Sequence, residues 1–295
     1  MHFLPQPLRG PALMIAATCA YVANDTLMKL ATEGLPPLQV LFIRGVCAML
    51  LCLPLVLVLG HGRQIPMVAN RWVLLRNLCE LAAVVMFVIA LAQMPIADVT
   101  ALGQVTPLIF LIGISLILRE KVGGMRMALI GLGFAGALLV AQPTGQGLSV
   151  YALLALGNAV FCAARDIAGR RVPAAVPGWI VALSAVLVVM VGAGALSLVT
   201  EQWAMPQLHH IGLLLGAGGL LMIGHFCLFT AYRVGDAASV APFYYMFSVW
   251  ALISGLVVFG TFPNVLAISG IALILASGLA IVLLDSRKRR LAVVA

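Results

Sequence analysis

Polar side chains inside long apolar runs are the residues of this 295-residue chain that could bind a ligand. Lipid offers no hydrogen bonds, so an amide, carboxylate or guanidinium placed there is costly and is a candidate for function. The candidates to line a substrate cavity are Asn24, Arg44, Asn77, Glu80, Gln104, Asn158, His225, Tyr244, Ser248 and Trp250. Pro107 and Pro242 each free a backbone carbonyl within an apolar run and are candidate hinges.

These residue types suit the binding of a small molecule better than catalysis. The sequence contains no nucleophile elbow, Gly-rich phosphate loop or His/Glu metal spacing. Six cysteines lie inside apolar runs without a Cys-x-x-Cys pair, as expected for small apolar residues. We therefore expect no catalytic residues, no metal and no cofactor.

Several candidates also have a structural explanation. Arg76 and Glu80 are four residues apart and share a helix face, which suits an ion pair. Glu80 could instead bind a substrate amine or a proton. Arg44 either pairs with an acid such as Asp25 or binds a substrate carboxylate with its bidentate fork. His225 is either a hydrogen-bonded structural residue or a group that titrates near neutral pH.

Composition places the whole chain in a membrane. Hydrophobic residues make up 63% of it, charged residues 9%, and the mean hydropathy is +1.16, whereas a soluble domain carries about 25% charged residues. The apolar runs are about 20 residues long, the length of a membrane-crossing helix. The predicted helices are 8–31, 37–59, 72–93, 97–118, 124–141, 149–169, 177–199, 210–232, 237–259 and 265–284.

The basic residues are distributed unequally between the two sides of these spans. With a cytoplasmic N-terminus, 15 of the 17 lysines and arginines face the cytoplasm, Lys29 faces outward and Arg44 lies within a span. This asymmetry predicts a multi-pass protein of the inner membrane with both termini in the cytoplasm. It also explains the formal charge of +8 by contact with membrane lipids, so no nucleic acid partner is expected.

Residues 90–121 and 230–261 share one pattern, a short turn followed by an apolar helix with a proline. A repeat of this length indicates a chain built from two similar halves, 1–143 and 144–295. Five helices in each half make the second half inverted, as in secondary transporters. The predicted fold is all-α, with ten transmembrane helices in two inverted five-helix repeats around a central cavity and a basic cytoplasmic tail.

Four segments carry a resemblance to a known family: ALAQMPIADVTAL with the following proline and LREK at 90–121, TAYRVGDAASVAP at 230–242, Phe42-Ile43-Arg44-Gly45, and GLGFAG at 131–136. With the span count and length, they resemble the EamA type of the drug/metabolite transporter superfamily. The resemblance implies a secondary transporter that exports a small metabolite by alternating access. It points to bacterial amino-acid and metabolite exporters, and the aromatic residues around Tyr244 favour neutral or aromatic amino acids.

Other functions remain open at this point. Within the same fold, the substrate could be a cationic drug, a purine or a sulfonium metabolite. A membrane-embedded enzyme acting on lipid or prenyl substrates would need a cluster of acids or histidines at one membrane face, which the sequence lacks. A non-transporting scaffold would leave no central cavity. Proton coupling and uniport both fit, and a monomer suffices because ten helices can enclose a pathway.

Overall fold

The computed structural model describes residues 6–58, 60, 62–118, 124–142, 149–173, 175–234 and 240–294. Within these ranges the chain forms helices joined by short connections and contains no strand. The α-helices are α1 (Gln6–Ala31), α2 (Pro37–Val58), α3 (Arg71–Gln93), α4 (Ile96–Gly103), α5 (Thr106–Leu118), α6 (Gly124–Ala141), α7 (Val150–Gly169), α8 (Gly178–Thr200), α9 (Leu208–Val234), α10 (Met246–Phe259) and α11 (Val265–Val294). Two 3-10 helices cover Gly62–Ala69 and Ala241–Tyr245.

The all-helical membrane fold expected from the sequence is confirmed. Among the described residues, six helices are long and apolar enough to cross a membrane, namely α2, α3, α7, α8, most of α9 and the first part of α11. Shorter apolar helical stretches cover Ile96–Phe110, Met127–Val140 and Phe243–Phe259. The count of ten spans stays a prediction. The charged segment 119–121 and the turn at 235–236 lie outside the described residues.

Two predicted spans are broken where a continuous helix was expected. The span 97–118 consists of α4 and α5, and Pro107 is the second residue of α5 and not the middle of a helix. Proline is well tolerated there because the first turn of a helix has no carbonyl waiting for its missing N–H. In the span 237–259, the 3-10 helix Ala241–Tyr245 precedes α10. Both candidate hinge prolines therefore lie beside breaks in the helical hydrogen bonding.

Helices from the two predicted halves pack along one another. The main pairs are α1 with α9, α3 with α7, α2 with α8 and α6 with α11. If the two halves were exchanged, the pair of α1 with α9 would become the pair of α7 with α3. The pairs of α2 with α8 and of α6 with α11 would stay the same. The division into inverted repeats stays a prediction, and this pairing is what it would produce.

Glycines allow the closest of these contacts. A Cβ on Gly218 of α9 would lie 2.9 Å from the backbone nitrogen of Ala48 in α2. Gly136 of α6 and Gly270 of α11 face one another's carbonyl oxygens in the same way. Small residues at such crossings let helix backbones approach, which is how helices associate without a hydrophobic driving force in lipid. The outer surface is apolar, with Leu50, Leu198 and Val257 each more than half exposed.

Candidate functional site

A cavity of about 790 Å³ lies among the helices. Its walls come from both predicted halves, and where a helix contributes several lining residues, most of them recur at helical spacing. On α1 they are Tyr21, Asn24, Asp25 and Met28, at positions i, i+3, i+4 and i+7, which share one helix face. Other lining residues are Arg44 on α2, Arg76, Glu80 and Phe87 on α3, Phe110 on α5, Arg165, Asp166 and Arg170 at the end of α7, His225 on α9, and Tyr244 and Phe247 beside and within α10.

One end of the cavity carries an ionic cluster, and we call it the Arg165 end. Glu80 Oε2 accepts a hydrogen bond from Arg165 at 3.0 Å and lies 3.5 Å from Arg76. The Arg165 Nε also donates to Asp166 at 2.8 Å. The exposed Arg170 lies over the Phe110 ring at 4.7 Å. Because exposed Asp166 and Arg170 line the cavity, it opens to solvent at this end.

One wall of the cavity is aromatic. Tyr21 stacks on Phe247 with ring centroids 5.7 Å apart and meets His225 edge-on at 5.4 Å. Phe247 meets Tyr244 edge-on at 5.0 Å. Tyr21 can approach α9 because Gly224 has no side chain there; a Cβ would lie 3.0 Å from its ring. His225 donates from Nδ1 to the Leu221 carbonyl at 2.8 Å, which leaves Nε2 of the neutral ring as an acceptor.

Opposite charges face the cavity deeper in the bundle. Asn24 donates from its amide to Asp25 Oδ1 at 2.8 Å. Arg44 and Asp25 interact electrostatically, but no hydrogen bond or ion pair joins their side chains. Arg44 Nε and Asn24 Oδ1 are buried without a hydrogen-bond partner among the described residues. Buried polar atoms are rarely left unsatisfied, so these two atoms are candidates to bond a partner that the described residues do not supply.

The other end of the bundle, which we call the Lys29 end, is closed by hydrogen bonds between helix termini. Lys29 at the end of α1 donates to the carbonyls of Leu91 and Met94 at 2.5 and 2.7 Å. These carbonyls belong to the end of α3, where a positive charge is favourable. The Lys29 ammonium also lies 5.6 Å from the centre of the Phe259 ring on α10. One side chain thus ties three helices together directly beyond Met28 of the cavity.

A second set of contacts closes the same end between α2 and α8. The Glu201 carboxylate accepts from the backbone amides of Leu38 and Gln39 at 2.9 and 3.0 Å. Gln39 exchanges two hydrogen bonds with the backbone of Ala204 at 2.7 and 3.0 Å. A carboxylate at a helix N-terminus satisfies amides that the helix itself leaves unpaired. None of these residues lines the cavity.

The structure brings about half of the residues proposed from the sequence to the cavity. Asn24, Arg44, Glu80, His225 and Tyr244 line it, as does the candidate hinge Pro107. Of the two explanations for Glu80, its contacts with Arg76 and Arg165 match the ion pair. The Pro242 side chain lies outside the described residues, although its backbone is within the 3-10 helix.

The remaining proposed residues do not line the cavity; Asn77, Gln104, Asn158 and Ser248 are buried, and Trp250 is partly buried. Asn77 donates to Ser184 Oγ at 2.8 Å, and Asn158 accepts from Cys162 Sγ at 3.3 Å. One polar atom each of Gln104, Ser248 and Trp250 is buried without a partner in the part of the chain that the structure describes. These five residues stay candidates from the sequence alone.

Sequence reasoning left out several residues that line the cavity, of which Tyr21, Asp25, Arg165 and Phe247 make the contacts described above. A signal for two of them was present, since Tyr21 and Asp25 flank Asn24 at spacings that put all three on one face of α1. Phe247 also had a signal, since it lies three residues after Tyr244 and the two rings meet edge-on. Arg165 pairs across the cavity with Glu80, which is distant in sequence.

Comparison with known proteins places the chain in a family. Residues 8–142 match the model of the EamA-like transporter family. A protein of Vibrio cholerae named riboflavin transporter is 29% identical, with 98% of each chain covered. A riboflavin transporter of Rhizobium johnstonii is 31% identical over 69% of this chain and 67% of its own. A solved crystal structure with 19% sequence identity has the same fold, with a TM-score of 0.65 over 94% of this chain and 98% of that one.

Proposed function

Because the chain belongs to the EamA-like transporter family of the drug/metabolite transporter superfamily, we propose that it carries a flat, hydrogen-bonding metabolite of the riboflavin type. The family establishes a membrane transporter of small metabolites; the substrate and the route are our proposal. The observation that carries it is a cavity that has an aromatic wall and, beside that wall, buried polar groups.

The size and walls of the cavity suit a fused ring system. Its volume of about 790 Å³ falls within the roughly 300–1,000 Å³ typical of sites for drug-sized ligands. Tyr21 and Phe247 offer rings on which a flat heterocycle can stack. Asn24, Asp25 and Arg44 offer hydrogen-bond acceptors and donors for its polar edge.

The two ends of the bundle support alternating access. The cavity is accessible at the Arg165 end, while the hydrogen bonds of Lys29 and Glu201 hold the Lys29 end together. With both termini in the cytoplasm, as the basic residues predict, this is a state open to the cytoplasm. Transport then requires the Lys29 end to open as the Arg165 end closes. We propose export as the direction and a monomer as the transporting unit, since a single chain surrounds the cavity.

A neutral aromatic amino acid, the substrate expected from the sequence, is the second candidate. One observation favours it: Asp25 and Arg44 face the cavity with opposite charges that are not joined to each other. The ammonium and carboxylate of a zwitterion would neutralise them, and its ring would lie on the aromatic wall. Much of the cavity would then stay filled with water.

We propose that Glu80 organises the Arg165 end and does not carry a coupling proton. It lies between two arginines, Arg76 and Arg165, which both contact its carboxylate and neutralise its charge. Transport that needs a pH gradient and disappears in Glu80→Gln would contradict this assignment.

The test is flux through the purified protein in liposomes. Riboflavin is followed by its fluorescence and tryptophan by a radioactive label, each with and without a pH gradient and in both directions. Saturable riboflavin flux above empty liposomes is the expected result. Tryptophan flux alone would favour the second candidate, and flux of neither would refute both.

A cavity-blocking variant tests the route. Ala185 of α8 lines the cavity, so Ala185→Trp should abolish saturable flux. Leu187 lies two residues further on the same helix and is 42% exposed on the outer surface, so Leu187→Trp should transport normally. Melting curves of both variants verify folding. Full flux through a folded Ala185→Trp protein would show that the substrate does not use this cavity.

A further inference from the structure

We infer that Asn24, Asp25 and Arg44 together recognise an adjacent N–H donor and oxygen acceptor on the substrate. The inference rests on the proposed function and assigns its polar recognition to one group of three side chains. Arg44 donates to the substrate oxygen, and Asp25 with the Asn24 carbonyl accepts from the neighbouring N–H.

The first support is that Asp25 orients the Asn24 amide and that α2, which carries Arg44, packs closely on α8. Asn24 and Asp25 share the cavity face of α1, and their mutual hydrogen bond of 2.8 Å uses one Asp25 oxygen and one Asn24 proton. That bond orients the Asn24 amide so that its carbonyl oxygen is unused. On α2, Gly45 follows Arg44 and sits against Met190 of α8, where a Cβ would lie 2.7 Å from that side chain. This contact sets the position of α2 beside the cavity.

The second support is that Arg44 and Asn24 each have a hydrogen-bonding atom without a partner among the described residues. Arg44 is 7% exposed and Asn24 is 2% exposed, so neither can rely on bulk solvent. Arg44 Nε and Asn24 Oδ1 nevertheless lack a partner in the described ranges. Arginine and carboxylate side chains frequently pair through bidentate hydrogen bonds, yet no hydrogen bond or ion pair joins Arg44 to Asp25. A ligand placed between them would complete both sets of bonds.

The third support is the position of the aromatic wall. Tyr21 precedes Asp25 by one helical turn on the same face, and it stacks on Phe247. A ring that lies along this wall would bring its polar edge to the next turn of α1. A flavin ring carries such an edge, an N–H between two carbonyls. The ammonium and carboxylate of an amino acid also offer an N–H donor beside an oxygen acceptor. The binding test distinguishes a flavin from an amino acid.

The test is equilibrium binding to the purified full-length protein, measured by quenching of flavin fluorescence. The probes are riboflavin and its N3-methyl derivative, which differ only in the N–H. The wild type should bind riboflavin about 10- to 100-fold more tightly, the worth of a hydrogen bond to a charged group. Asp25→Asn should weaken riboflavin binding and reduce the difference between the probes to less than threefold.

The control is Asp98→Asn, which removes a carboxylate that does not line the cavity and should leave discrimination unchanged. A single substitution of Arg44 would leave the Asp25 charge buried without an opposite charge. Arg44 is therefore tested in the double variant Asp25→Asn with Arg44→Gln, in which both charges are removed. It should bind both probes equally and weakly while melting like the wild type.

The outcomes separate the inference from the proposed function. If the wild type binds both flavins equally well, the cavity binds a flavin and the assignment of the three side chains is wrong. Full discrimination in Asp25→Asn would also overturn the assignment. If the wild type binds neither flavin but binds tryptophan and not N-acetyltryptophan, and Asp25→Asn loses that preference, the same group recognises an amino acid. Binding of none of these probes would overturn both the inference and the proposed function.

Discussion

Opening of the Lys29 end should depend strongly on Lys29 itself. Its ammonium donates to the Leu91 and Met94 carbonyls at 2.5 and 2.7 Å. Each hydrogen bond to a charged group contributes about 1.5–3 kcal/mol. Lys29→Met keeps the length of the side chain and removes both bonds. Hydration of the ammonium in the open state offsets part of the loss, so the closed state should be destabilised by about 2–3 kcal/mol relative to the open state.

That change corresponds to an increase of about 30- to 150-fold in the open population. The assay uses a cysteine in place of Met28, which is 1% exposed and lines the cavity beneath Lys29. With the six native cysteines replaced, labelling by an impermeant maleimide added outside spheroplasts should accelerate by that factor. Lys29→Arg keeps the charge and the donors, so it is the matched control and should label slowly.

A labelling rate within threefold of the parent in a folded Lys29→Met protein would refute this reasoning. It would mean that the hydrogen bonds to α3 are replaced at no cost when the end opens, and that other contacts, such as those of Glu201, hold the end closed. Slow labelling from outside and fast labelling from the cytoplasmic side in the parent would in addition support the proposed orientation.

Three substitutions should affect stability in ways that thermal melting of the purified protein can measure. Gly218→Ala forces a methyl group against the Ala48 backbone and should cost about 1–3 kcal/mol, whereas Gly219→Ala, with its nearest neighbour 3.9 Å away, should melt unchanged. Glu201→Ala removes the acceptor for two amides of α2 and should cost about 0.5–2 kcal/mol. Gly260 ends α10 at φ 61°, so Gly260→Ala should cost about 1–2 kcal/mol. Equal melting of the Gly218 and Gly219 variants would contradict the close crossing of α2 and α9.

The sequence was sufficient to predict the helices and most of their ends. Apolar runs of membrane-spanning length leave the backbone no alternative to the helix, because lipid cannot hydrogen-bond it. The span predicted at 124–141 coincides with α6, and the break at Pro36-Pro37 separates α1 from α2. Pro107 was recognised as a candidate hinge, but the predicted span 97–118 was continuous, whereas in the structure α4 ends at Gly103 and Pro107 lies in the first turn of α5.

The sequence also identified polar residues that belong inside the bundle, but not which of them meet. Asn77 and Glu80 are three residues apart on α3, yet Asn77 binds Ser184 of α8 and Glu80 binds Arg165 of α7. In a soluble protein the apolar stripe of a helix shows which face is turned inward. Helices here are apolar on nearly every face, since lipid and protein interior are equally hydrophobic.

Sequence alone therefore determined the class of the protein, its helices and the uneven distribution of its charges, because each follows from local composition. Only the tertiary structure decided the rotation of each helix and the partners that polar side chains meet on other helices. It placed Asp25 opposite Arg44 and Tyr21 against Phe247 in one cavity. The physical reason is that these neighbours come from different helices, and only the packing of those helices brings their side chains to the same space.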